Sequence, residues 1–323
     1  MSFLTKISQM FAKNKSSQRL GIAFQQQGVS LCSVPVQASD VTAGDNISAK
    51  VLFQHEKTSS ANFSKTIQKL HDDFELSGDA NIVLSEAQSQ VVQVDKPNLP
   101  ENEINSALKW KIKDLVTIPP DNMVLDYYDA PVLAGGKKKI NVVCAPKDEL
   151  RILVAATEQG SVKISKITTQ EFAFANLLVA KNEANLLVCQ QPNEEITLLI
   201  VKQKKIYFQR RLRGFAQIGS KTAEELSFSI IDDISLEIQR STDYFERQLK
   251  QAPIKEIKVL LPIKLENVFI EKLAENSAVP VSLLEIPSPY HQHREFGAAI
   301  GASLEDIADT KEAEVLAGVP YDS

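Results

Sequence analysis

Alternation of apolar and polar positions is most regular from Ile196 to Gly214, ITLLIVKQKKIYFQRRLRG. Ile196 to Val201 is an apolar run rich in β-branched residues, and after the polar Lys202 to Lys205 the alternation resumes through Ile206, Phe208 and Leu212. Two strands joined by a basic tip satisfy that pattern, and Gly214 ends them. Thr222 then stands as an N-cap before Ala223, Leu226, Ile230, Ile234, Ile238 and Phe245, whose spacing predicts one long helix. The same succession occurs once earlier. Leu20 to Phe24, Gly28 to Val34 and Ala49 to Phe53 read as strands, and Phe63 to Phe74 as a helix. A strand meander leading into a helix twice in one chain predicts two halves of related topology.

Between these runs, Asn81 to Leu84 and Gln90 to Val94 read as strands, and Pro97 and Pro100 end the second. Glu101 and Glu103 suit the start of a helix lined by Ile104, Leu108, Ile112 and Leu115, which Pro119 and Pro120 stop. Strands Met123 to Val132 and Lys139 to Ala145 are joined by Gly135, Gly136 and a lysine run. A helix over Lys147 to Thr157, a strand over Val162 to Ile167 and a helix over Glu171 to Lys181 complete the half. Residues 89–168 are thus expected to form a subdomain inserted into a first lobe of residues 19–180. The second lobe, 181–304, opens with the strand Asn185 to Val188. It continues after the long helix with strands Ile257 to Leu261 and Val279 to Leu284 and helices Leu265 to Leu273 and Tyr290 to Leu304. Gly297, Ala298, Ala299, Gly301 and Ala302 let the last helix pack closely. An amphipathic helix is expected over 1–18 and a mobile acidic tail over 305–323.

The chain has 323 residues, 43% hydrophobic, enough for a large two-lobed core. A net charge of -5 and a pI near 5.6 give no general attraction to nucleic acid. Cys32, Cys144 and Cys189 lie in apolar runs without metal-ligand spacing, which fits core thiols in a reducing cytoplasm. No run reaches the roughly 18 apolar residues of a membrane span, and no signal peptide is expected from the polar breaks among Phe3, Leu4, Ile7, Met10 and Phe11. Phe3, Leu4, Ile7, Met10 and Phe11 share one helical face beside Lys6, Lys13, Lys15 and Arg19. That face reads either as a membrane-surface anchor or as a helix packed on its own protein.

Candidate chemistry is sparse. Gly214-Phe-Ala-Gln-Ile-Gly219-Ser220-Lys221-Thr222 sits between a strand and a helix, as a phosphate loop does, but Ser220 displaces the lysine from its place directly after the second glycine. A hairpin exit with an N-cap at Thr222 explains the run better. His291 and His293 lack a third ligand nearby, and Asp232 and Asp233 point to different helix faces. Lys137, Lys138 and Lys139 read as a solvated tip or as a contact for anionic lipid or an acidic segment. Trp110 is either a core residue or an aromatic anchor at a groove. No nucleophile triad follows from spacing, and no enzyme is expected.

Several runs resemble those of the PilM family of type IV pilus proteins. They are Leu108-Lys-Trp110-Lys, Ile118-Pro119-Pro120, Leu125-Asp126-Tyr127-Tyr128, Val143-Cys-Ala145-Pro146-Lys147, Phe208-Gln-Arg210-Arg211 and Glu237-Ile-Gln-Arg240-Ser241-Thr-Asp243-Tyr244. The resemblance, over roughly residues 19–304, runs to the branch serving mannose-sensitive haemagglutinin (MSHA) pili. It implies an α/β, actin-like (ASKHA, RNase H-like) two-lobed fold with an inserted α/β subdomain in the first lobe. It also implies a cytoplasmic scaffold, peripheral to the inner membrane, that docks on other platform subunits and binds the cytoplasmic N-terminal segment of a PilN-like membrane protein. Trp110, Tyr127 and Tyr128 are the partner-binding candidates. Phe3, Leu4, Ile7, Phe11 and Lys137 to Lys139 are the candidates for contact with an anionic membrane.

Actin-like nucleotide binders place Asp and Gly in the first hairpin so that backbone N–H groups wrap phosphate and a carboxylate holds hydrated magnesium. Here Ala23 stands at the Asp position and Gln25 at a Gly position. The second turn reads Val188-Cys189-Gln190-Gln191-Pro192, without Asp or Gly, and the turn beneath the adenosine reads Pro262-Ile-Lys-Leu265. No cofactor, no metal and no ATPase activity are therefore expected. The alternatives are an ATP-binding, nucleotide-switched PilM-like protein and a domain of the related type II secretion platform, which would carry a membrane span.

Overall fold

The computed structural model describes residues 18–35, 51–131 and 136–304. The expected N-terminal helix with Phe3, Leu4, Ile7 and Phe11, the start of the third strand at Ala49, and the acidic tail lie outside these residues.

β1 (Gln18–Gln25) and β2 (Gly28–Pro35) form a hairpin about Gln26-Gln27, and β3 (Leu52–Lys57) pairs antiparallel with β2. Helix α1 (Phe63–Phe74) buries Phe63, Thr66, Ile67 and Leu70, the stripe its spacing dictates. It leads into β4 (Ser77–Leu84), parallel to β1, and β8 (Ser161–Thr169) lies parallel to β4. This sheet has the order β3-β2-β1-β4-β8. The second sheet repeats it as β11-β10-β9-β12-β13, built from β9 (Asn185–Cys189), β10 (Ile196–Lys202), β11 (Lys205–Leu212), β12 (Glu256–Leu260) and β13 (Val281–Leu283). Strand directions also repeat, three antiparallel and then two parallel.

Between β4 and β8 the chain builds a third sheet, β5-β7-β6, from β5 (Gln90–Asp95), β6 (Met123–Asp129) and β7 (Lys139–Pro146). Helix α2 (Glu101–Lys111) covers it through Ile104 and Leu108, against Met123, Ile140 and Val142. The expected end of the insertion at 168 is too late. Helix α3 (Lys147–Thr157) sends Leu153 and Ala156 into the first lobe's core, and β8 completes that lobe's sheet. Leu115, expected on the helix, lies beyond its end and is exposed.

Helix α4 (Gln170–Asn176) is shorter than the spacing predicts, because Leu177 and Leu178 turn back onto the Phe174 and Ala175 carbonyls. The long helix α5 is continuous, running as Ala223–Glu225, a π segment Leu226–Ile230, Ile231–Asp243 and a second π segment Tyr244–Gln248. Helix α6 (Glu266–Glu275) links β12 to β13. The expected final helix is broken: after Pro287 and Pro289 the chain makes isolated i to i+3 turns, and only α7 (Gly297–Ser303) is α-helical.

α4 and α7 lie in a core shared by both lobes, with Ala23, Val83, Leu187, Cys189 and Leu260. The approach is close enough that a Cβ on Gly21 would collide with the Ala299 carbonyl oxygen, and one on Gly301 with that of Ala173. Asn81 donates to the Ala302 carbonyl at 2.8 Å and Asn176 to that of Gly301 at 3.3 Å, satisfying the end of α7. This seam fixes the two hairpin turns opposite one another.

Candidate functional site

The first hairpin places Ala23 fully inside the shared core, and Gln25, two residues further along the same strand face, is buried too. Gln25 Nε2 donates to Ser30 Oγ at 3.0 Å, and Ser30 Oγ is 3.0 Å from His55 Nδ1. Across the cleft, Cys189 ends β9, its thiol donating to the Thr197 carbonyl at 3.4 Å; burial and then nearby Glu171 push that thiol well up. The following turn reaches back to the first lobe. Gln191 Nε2 donates to the Phe24 carbonyl at 3.4 Å and to Gln170 Oε1 at 3.1 Å, while the Gln26 amide donates to Glu194 Oε1 at 2.9 Å. The two turns are bonded directly to each other. Burial, followed by the charges of Glu86 and Glu171, outweighs the Gln26 amide and Arg211 and pushes the Glu194 carboxyl up to about 7.

Beside the turns remains a polar cavity of about 380 Å³ lined by Ser85, Glu86, Gln170, Glu171, Thr197 and Arg211. Arg211 is held there by Glu86 at 2.8 Å and Glu171 at 3.2 Å, which neutralises it within the protein. At the third position, half-buried Pro262 is the centre of a tight turn in which the Ile263 amide donates to the Leu261 carbonyl at 2.8 Å. Glu266 accepts the Leu261 amide at 2.7 Å and pairs with Arg294 through both oxygens at 2.7 Å. Arg294 also donates to the Leu284 and Val259 carbonyls. Glu194, Gln170, Glu266 and Arg294 carry no periodic signal, and the sequence did not mark them.

The glycine-bearing run before α5 is a capped helix start. Thr222 and Glu225 form a reciprocal capping box, Lys221 pairs with Glu225 at 3.1 Å, and the Gly214 and Phe215 amides are taken by Glu195 at 2.9 and 2.7 Å. His293 stacks on Phe53 at 3.9 Å between ring centres, and His291 is exposed. Among the described residues no group of three His, Cys, Asp or Glu side chains is placed to hold a metal. Nor is any helix among them long and apolar enough to cross a membrane.

A second site lies where two sheets end. β6 is an edge of the inserted sheet and β8 an edge of the first-lobe sheet, and a cavity of about 290 Å³ runs between them. Val124, Tyr128, Ile167, Leu150 and Phe172 line it, an apolar floor flanked by strands whose outer edges have no strand partner among the described residues. Tyr128 packs edge-on against Phe172 at 5.0 Å and donates to Gln209 Oε1 at 3.2 Å; burial raises its phenol, with Glu171 adding. Tyr127 also borders this groove, while its ring packs on the insertion's own core beneath Lys96. Trp110 is in neither expected place. At 64% exposure it is no core residue, and it does not line this groove, because it sits off the Ile104-Leu108-Ile112 stripe that faces inwards.

Two sheets of matching order with helices packed between them, and a third sheet inserted in the first lobe, give the two-lobed arrangement of an actin-like fold. In particular, the chain is similar to the solved PilM-PilN type IV pilus biogenesis complex, with a TM-score of 0.59 and 16% identity over 88% of this chain and 97% of that one. The cytoplasmic domain of EpsL, an inner membrane component of the type II secretion system of Vibrio cholerae, matches at 0.48 and 11% identity, over 93% and 95%. A Bacteroides thetaiotaomicron protein with an actin-like ATPase fold matches at 0.49 and 10%, over 91% and 98%. The sequence matches no protein-family model and no curated protein.

Proposed function

We propose that the chain is a scaffold of a type IV pilus assembly platform on the cytoplasmic face of the inner membrane, and that the groove between β6 and β8 takes the extended N-terminal segment of a PilN-like membrane protein. The groove carries this reading. It offers an added strand two unpaired sheet edges and an apolar floor for alternate side chains. The likeness to a PilM-PilN complex supports it. The runs at 108–147 and 237–244 resemble those of MshI, the PilM-like biogenesis protein of the MSHA pilus, which points to that pilus type. On this reading the interlobe cleft has lost its nucleotide chemistry, since Gln26 and Glu194, and Phe24 and Gln191, bond where a phosphate would lie.

Two titrations into the full-length protein test this. A synthetic N-terminal segment of the PilN-like partner should bind saturably, and Tyr128→Ala should weaken it about tenfold or more, as a central aromatic anchor does. Mg-ATP should give no saturable heat. Peptide binding that Tyr128→Ala leaves unchanged would move the site elsewhere, and tight ATP binding would restore the nucleotide-switched reading.

A further inference from the structure

We propose that the chain rests on an anionic membrane surface through one face built from three lysine-bearing tips. These are the β6–β7 end of the insertion (Lys137, Lys138, Lys139), the β10–β11 turn with the first residue of β11 (Lys204, Lys205), and the second residue after α5 (Lys250). The tips are distant in sequence and the fold gathers them. Tyr128 on β6 donates to Gln209 on β11, and a cavity of about 290 Å³ between insertion and second lobe is lined by Pro131, Asn141, Ile206, Tyr207 and Leu249. Ala130, next to Pro131, donates its amide to the Lys139 carbonyl, Lys205 precedes Ile206, and Lys250 follows Leu249. The six lysines therefore lie on segments that flank one seam.

Five of the six are exposed and Lys139 is half-buried. Among the described residues none of their ammonium groups is in an ion pair, whereas neighbouring Lys96 is paired with Asp129. Lys204 and Lys250 hold φ values of 59° and 53°, in the left-handed region typical of tight turns, as does Gln203 beside Lys204. A chain of net charge -5 thus concentrates unpaired positive charge on one side.

The chemistry favours a bilayer over an acidic peptide. Every cation is lysine, a flexible point charge, where directed carboxylate recognition uses the planar arginine fork. The lysines also project from loop tips, which suits a flat, diffuse sheet of charge. The inference stands apart from the peptide groove and the pilus reading, because vesicles contain no protein partner.

Full-length protein is sedimented with vesicles of phosphatidylcholine alone or mixed with phosphatidylglycerol, at low and high salt. Binding is expected only to the anionic vesicles and is lost at high salt as screening shortens the reach of each charge. Each lysine near such a surface contributes about fivefold, so Lys137→Glu with Lys138→Glu, or Lys204→Glu with Lys205→Glu, should each weaken binding by at least about tenfold. An unchanged melting temperature shows that these variants remain folded. If both pairs bind as the parent does, the basic N-terminal segment carries the contact and the proposal is overturned. A parent that ignores anionic vesicles overturns it equally, leaving the face to an acidic protein segment.

Discussion

The Glu194 carboxylate accepts the Gln26 amide at 2.9 Å, joining turns 168 residues apart in sequence. Its folded pKa of about 7 lies above the ordinary glutamate value of 4.5, so the fold favours the protonated form. That contribution is fully present below about pH 4.5 and is lost as pH rises through about 7. Glu194→Gln keeps an acceptor for Gln26 without ionising. Thermal melts across this window should show the parent losing stability relative to the variant, which should be more stable by on the order of 2 kcal/mol above pH 8.

Gly21 and Gly301 are required by close approach. Alanine at either pushes its methyl against a carbonyl oxygen of a neighbouring helix, Ala299 or Ala173, and should cost at least about 3 kcal/mol in urea unfolding. Gly160 is the control. Its φ of 59° is strained for alanine but the space is open, so Gly160→Ala should cost only about 1 kcal/mol.

Glu266→Ala removes both the carboxylate facing partly buried Arg294 and the acceptor of the Leu261 amide. A loss of about 3 kcal/mol is expected, read as a lower urea midpoint. A neutral outcome would mean that water replaces the carboxylate freely.

Trp110→Ala should change stability by no more than about 0.5 kcal/mol, because the indole is 64% exposed. As the single tryptophan it also reports directly: its fluorescence should be fully accessible to acrylamide in the folded protein.

Legibility varied with the range of the interaction. The hairpin at 196–212, the capped start at Thr222 and the absence of Asp and Gly at the three turns were readable because strand period, capping and turn chemistry act over a few residues. The doubled topology was readable as well, since each half carries its own meander. Two helix ends were not: competing i to i+3 turns shortened α4 and, after Pro287 and Pro289, broke the run before α7. Trp110 met neither of its two readings, core residue or groove anchor, although its offset from Ile104 and Leu108 already put it off the buried face.

What the sequence alone determined, then, is which segments are strands and helices, that they recur twice, and which side chains stand at each turn. Only the tertiary structure decided that α3 and β8 belong to the first lobe, that Gln26 meets Glu194 and Phe24 meets Gln191, and that β6 and β8 leave a groove between their edges. The physical reason is distance along the chain. Periodicity and capping are set by neighbours, whereas the seam is set by how closely two glycine-bearing backbones can approach, which no local pattern encodes.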